Sequence, residues 1–203
     1  MTDLRDDLIS AAQYFHDRGW MWGTAGNLSA RSIEGGSYWV TASGKSKGEL
    51  TQDDFINMQM DGTWEATQPG NKPSAETSIH HAIYSLFPEA EACYHVHSVE
   101  ANLVSNFTTD DAIVLPPLEM IKGLGIWDES PTCQLPLFTN HLSVPKIAED
   151  ITDRFTQTPP EIPALLIRNH GITVWANSTQ GARNLTEVME YIFRYMVLAK
   201  QTL

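Results

Sequence analysis

Apolar residues recur along the chain with two periods. Leu4, Leu8, Ala11, Ala12 and Phe15 keep to one helical face and stop at Gly19, which predicts an amphipathic helix over residues 3–18. Ile79, Ile83 and Leu86 repeat that spacing between a start signal at Pro73 and Ser74 and a stop at Pro88, so Glu76 falls in the first turn of a helix. Residues 99–106 read as a short helix, and Ile147, Ile151 and Phe155 mark another that ends before the rigid segment TPPEIP. Ser178 caps a long final helix in which Ala182, Leu185, Met189, Ile192, Phe193 and Met196 share a face.

The second period is that of strands. SYWVTASG predicts a strand over residues 38–41 running into a turn, and EACYHVH predicts another. ALLIRNHGITVW gives two apolar runs broken by the polar turn RNHG, with His170 at the turn, and DDAIVLPPLEMIKGLGIW reads as a short strand and loop. Strands and helices alternate, so the predicted class is α/β.

Length and composition narrow this picture. The 203 residues suit one domain, 1–203, with an ordinary core and no internal repeat. A formal net charge of -12 argues against a general nucleic-acid or anionic-membrane surface, so cations for an anionic substrate must be concentrated locally. MTDLRDDLIS is acidic, and no apolar run approaches the roughly 18 residues of a membrane helix, which gives a cytoplasmic expectation. Cys93 and Cys133 are too few for a disulfide framework and read as buried, reduced thiols.

Candidate chemistry centres on CYHVHSVE. Residues two apart on a strand project to one side, so His95 and His97 can share an ion that accepts both lone pairs. His-x-His alone is a weak signal. His170, beside a glycine in a turn, offers a third imidazole, and three neutral imidazoles leave a tetrahedral ion one open position, as in catalytic zinc. Spacing alone does not bring the three together. His16, His80, His81 and His141 read as surface or packing residues. Two carboxylates suit proton transfer: Glu76 from a helix N-terminus, and Glu119 from the apolar setting PPLEMIKG. GTAGNLS and TASGKSK hold small and hydroxyl residues able to face a phosphate, with Lys45 and Lys47 as the local positive charge.

Taken in order, GTAGNLS, VTASGK, KPSAET, HVHS and RNHG resemble the class II aldolase and adducin head family over nearly the whole chain. The resemblance implies a three-layer α/β/α sandwich around a mainly antiparallel sheet, a homotetramer, and a zinc-dependent enzyme acting on a sugar phosphate. By that resemblance His95, His97 and His170 hold one Zn2+ per subunit, and Glu76 matches the acid–base residue of the aldolases. Thr24, Asn27, Ser43, Gly44 and Ser74 match phosphate-holding positions, with Lys45 beside them. LEMIKGLGIW, TASGKSK and LIRNHGITVW are similar to a dehydratase branch of the family, in which the acid–base role falls on Glu119. The resemblance thus supplies two glutamates for one role. Met120, Ile121 and Trp127 are candidate walls for an apolar substrate group, and Tyr191 and Tyr195 read as packing. An aldolase or epimerase of the same family is the alternative enzyme. A non-catalytic adducin-like interaction module is the alternative of another class, and the three histidines argue against it.

Overall fold

A computed structural model describes residues 3–31, 35–129 and 131–202. Asp3 caps the first helix by accepting from the Arg5 backbone N–H, and α1 (Leu4–Asp17) buries Leu8, Ala11, Ala12 and Phe15. There follow β1 (Asn27–Arg31), β2 (Ser37–Thr41), β3 (Phe55–Gln59), β4 (Trp64–Ala66), α2 (Thr77–Leu86), β5 (Ala92–Val96), α3 (Val99–Val104) and β6 (Ala112–Leu115). A 3-10 helix (Glu119–Leu124) leads to β7 (Cys133–Phe138), α4 (Val144–Gln157), β8 (Ala164–Ile167), β9 (Gly171–Ala176) and α5 (Thr179–Thr202).

The strands form one nine-stranded sheet in the order β4-β3-β2-β1-β5-β9-β8-β7-β6. Every neighbouring pair is antiparallel except β7–β8. Leu28, Tyr94, Val96, Ile172 and Val174 face a layer of α1, α3, α5 and the 3-10 helix. Val40, Cys93, Leu165 and Trp175 face the other layer, made by α2 and α4. This is the three-layer architecture with a mainly antiparallel sheet that the sequence resemblance implies. Alternation along β5 turns His95, like Cys93, toward α2.

Four strands escape the periodicity. GTAGNLS reads as a loop, yet from Asn27 onward it is β1, a central strand of small and polar residues buried on both faces. β3 and β4 follow the strand predicted over residues 38–41, in a stretch where no strand is predicted, and β7 carries Pro136, a residue that normally demotes a strand. Parallel pairing of β7 with β8 begins only at Leu137, so the missing N–H interrupts no bond on that side. EMIKG forms the 3-10 helix, which ends at Gly125 in the left-handed region (φ 87°) and packs through Ile121 and Leu124 under α5.

One buried acid on α5 has a consequence for stability. Glu190 is buried with no well-formed hydrogen bond to either carboxyl oxygen, and burial, only partly offset by the nearby Ser98 hydroxyl, pushes its carboxyl up to about 8. In the unfolded chain it ionises near the ordinary value of about 4.3. Between those two pH values the unfolded state holds fewer protons than the fold, so stability falls as pH rises. Glu190→Gln is expected to melt roughly 5–10 °C above the parent at pH 8, with the gap closing by pH 5. Melting curves across that pH range check it; an equal gap at both ends would show that ionisation is not the cause.

Candidate metal centre

Two segments of the chain deliver the histidines: β5 with its C-terminal end, and the turn between β8 and β9. β5 pairs with β9 so that His95 lies opposite Thr173, and with β1 so that it lies opposite Asn27. His95 Nδ1 is 2.9 Å from Thr173 Oγ1. Donation from Nδ1–H to that hydroxyl leaves the lone pair on Nε2, at the other end of the ring. His97 stands just past the end of β5, where its backbone N–H donates to the Trp20 carbonyl at 2.8 Å.

His170 comes from the turn between β8 and β9, and the turn is gripped from outside. Asn169 takes a left-handed conformation (φ 49°), which asparagine tolerates better than most residues. Its backbone N–H donates to Ser105 Oγ at 3.0 Å. The Arg168 guanidinium donates to the carbonyls of Ser105, Thr108 and Asp110 at 2.7, 2.8 and 2.5 Å. Asn102 Nδ2 donates to the His170 carbonyl at 3.1 Å. Gly171 then lets β9 rise beside His97: a Cβ there would sit 2.2 Å from the Val96 carbonyl oxygen and 2.9 Å from His97 Cδ2.

The three rings meet at their Nε2 atoms. His95 Nε2 is 2.8 Å from His97 Nε2 and 3.3 Å from His170 Nε2, with the ring planes 78–88° apart. Glu76, the N-cap residue that precedes α2, brings Oε1 to 2.8 Å from His170 Nε2 and to 3.7 and 3.6 Å from those of His95 and His97. All four ligand atoms lie within 4.8 Å of one another. Tetrahedral coordination with bonds of about 2.05 Å spaces ligand atoms roughly 3.3 Å apart, so these residues fit a single metal ion.

Electrostatics favours the same use. Burial holds the His95 imidazole well below its ordinary pKa, which keeps it neutral as a ligand must be. Burial alone would raise the Glu76 carboxyl, but hydrogen bonds from His170 and His97 outweigh it and hold the group well below the usual carboxylate range. Glu76 is therefore an anion facing three imidazole nitrogens.

A sequence model of the class II aldolase and adducin N-terminal domain matches residues 6–197. The chain belongs to the class II aldolase and adducin family. Within that family it is similar to methylthioribulose-1-phosphate dehydratase of Microcystis aeruginosa, 58% identical over 202 residues covering 99% of this chain and 98% of the relative. The protein of that name from Leptospira biflexa is 42% identical, with 97% of each chain covered. Among solved structures, the putative aldolase/epimerase/decarboxylase YgbL of Escherichia coli superposes with a TM-score of 0.81 at 27% identity, over 96% of this chain and 88% of that one. L-fuculose-1-phosphate aldolase of Thermus thermophilus shares the fold, with a TM-score of 0.77 at 20% identity over 97% and 93% of the two chains.

The residues that the family resemblance assigns to phosphate lie on two loops and one helix start. Thr24 precedes β1 and Asn27 opens it; Ser43 and Gly44 (φ 75°) follow β2; Ser74 accepts from the Glu76 backbone N–H at 3.3 Å. Lys47 is buried between the loops, where its ammonium donates to the carbonyls of Thr24 (2.8 Å) and Lys45 (2.9 Å). Burial lowers its pKa to about 8. Lys47 thus staples the two loops together, while Lys45 pairs with Asp54 at 2.8 Å.

Glu119 lies elsewhere. Its side chain is 82% exposed and pairs with Lys122 at 2.6 Å, on a helix packed in the α5 layer, whereas Glu76 reaches the histidines from α2. Met120 and Ile121 belong to that packing and Trp127 is exposed. Tyr191 and Tyr195 are exposed on α5 rather than packed in the core. Periodicity overlooked Thr173, Asn102 and Arg168, which orient the ligands; only the same-face alternation of Thr173 in GITVW hinted at one of them.

Proposed function

We propose that this chain dehydrates 5-methylthio-D-ribulose 1-phosphate to 2,3-diketo-5-methylthiopentyl 1-phosphate, the hydro-lyase step of methionine salvage, with Zn2+ held by His95, His97 and His170. The observation that carries this reading is three converging imidazoles with a carboxylate beside them, in a chain 58% identical, end to end, to a methylthioribulose-1-phosphate dehydratase. His95, His97 and His170 would hold the zinc, which would supply Lewis acidity toward the substrate's carbonyl and hydroxyl oxygens.

The chain's own residues do the rest. Thr173 fixes the tautomer of His95, and the grip on the RNHG turn fixes His170. The loops stapled by Lys47 receive the phosphate through Thr24, Asn27, Ser43, Gly44 and Ser74, with Lys45 released from Asp54 when the anion competes for it. Glu119 removes the proton from C3 and returns it to the C4 oxygen, which leaves as water; the resulting C3 enol becomes the second ketone. Glu76 stands beside the imidazoles as an anion.

On this reading Glu119 serves the site of another copy in a cytoplasmic homotetramer. Its distance in layer from the histidines supports this, as do the apolar side chains left outward on α3 and α5: Val99, Leu103, Tyr191, Tyr195 and Leu198. No helix of the described residues is long and apolar enough to cross a membrane.

The test is product identification. The zinc-loaded protein incubated with methylthioribulose 1-phosphate is expected to give the diketone, read by carbon NMR. Release of methylthioacetaldehyde and dihydroxyacetone phosphate would instead make it an aldolase, because that pair requires cleavage between C3 and C4.

A further inference from the structure

Beneath Glu76, on the side of α2 that faces the sheet, lies a polar network that the reaction above does not use. His80 follows Glu76 by four residues, so both side chains leave α2 on one face. The His80 side chain is buried, and Nδ1 is 2.7 Å from Ser29 Oγ of β1. Ser29 Oγ is in turn 2.8 Å from the Tyr84 hydroxyl and 3.2 Å from the Cys93 carbonyl. A carbonyl only accepts, so the single Ser29 hydrogen goes to Cys93, and His80 Nδ1–H and Tyr84 O–H both donate to Ser29 Oγ. Burial lowers the His80 pKa to about 4, so the ring is neutral with its one proton on Nδ1.

The strands that receive this bond are the ones that carry the metal site. Ser29 pairs with Cys93 across β1 and β5, and two residues along the same ladder Asn27 pairs with His95. The apolar side chains that α2 buries include Ile79, Ala82 and Ile83, whose packing has little directional preference. Each of the three hydrogens finds an acceptor, while His80 Nε2 is buried without a partner, so the network is costlier than an apolar filling that would have served burial alone. Direction is what the hydrogen bonds add.

We propose that His80 is a positioning residue: its hydrogen bond to Ser29 sets the height of α2 on the β1–β5 pair and so holds the Glu76 carboxylate at the three imidazoles. The inference rests on the reading of those four residues as a catalytic metal site. The bond locks α2 one turn below the carboxylate that faces the imidazoles.

Two substitutions separate positioning from mere filling. Asparagine places its amide nitrogen near the place of Nδ1, so His80→Asn keeps the bond to Ser29, whereas His80→Leu fills the space without it. Cobalt in place of zinc gives a visible spectrum that reads donor geometry without turnover. His80→Leu is expected to keep about one metal per chain and a KM within about threefold, to lose about 10–100-fold in kcat, and to shift the cobalt spectrum. His80→Asn is expected to recover both kcat and spectrum. Ser29→Ala, which breaks the same bond from the strand side, should reproduce the His80→Leu signature and decides the matter if His80→Leu does not fold. Parental kcat and cobalt spectrum in the variant that lacks the bond would overturn the proposal, and so would His80→Asn as impaired as His80→Leu. If the parent itself fails to dehydrate the substrate, the proposed reaction falls, while the cobalt comparison still decides the role of His80.

Discussion

His97→Ala is expected to lose bound metal and at least about 10³-fold in turnover, because one of three converging imidazoles is gone and the remaining pair no longer encloses an ion. Folding itself should survive. His97 lies beyond the end of β5, and only its backbone N–H, bonded to Trp20, takes part in the surrounding framework. The two effects can be read separately. Metal at 1,000 times its dissociation constant stabilises the parent by about 4 kcal/mol, or roughly 8–16 °C in Tm for a chain of this size. That shift on adding zinc should vanish in the variant, whose metal-free melt should match that of the metal-free parent. A variant that still binds zinc stoichiometrically and turns over normally would remove His97 from the site.

Glu119→Gln is expected to keep zinc and substrate binding and to lose about 10²–10⁴-fold in kcat, the usual range for removing a positioned acid–base group. The more telling measurement mixes it with His97→Ala. Each variant alone is inactive. If Glu119 of one copy serves the histidines of another, mixed oligomers regain up to about a quarter of parental activity, because that share of sites combines an intact His97 with an intact Glu119. A dead mixture would place both groups in one chain's site. Normal turnover by Glu119→Gln would pass the proton-transfer role to Glu76, which stands 2.8 Å from His170.

Much of the site can be read from the chain because its parts are local. The i, i+2 spacing of His95 and His97 on a strand, the glycine after His170 and the helix start at Glu76 each follow from backbone geometry over a few residues. The convergence of those parts is long-range: Glu76 and His170 are 94 residues apart and touch through a single hydrogen bond. Lys47 shows the opposite failure. In the sequence it is one more lysine in a polar turn, and in the fold it is buried, its ammonium held by two carbonyls. His80 likewise sits among apolar residues at helical spacing, which periodicity can only describe as packing.

What the sequence determined by itself was the kind of protein. Its alternating periods dictate an α/β chain, its ordered motifs place it in one family, and its histidines and glutamates define a small set of metal-binding and acid–base candidates. Only the tertiary structure decided which candidates act together. It set Glu76 against the three imidazoles and left Glu119 exposed in another layer, and it put His80 and Ser29 behind the site. The physical reason is that strand pairing and layer packing join residues dozens of positions apart, and register, not composition, fixes which atoms come within 3 Å.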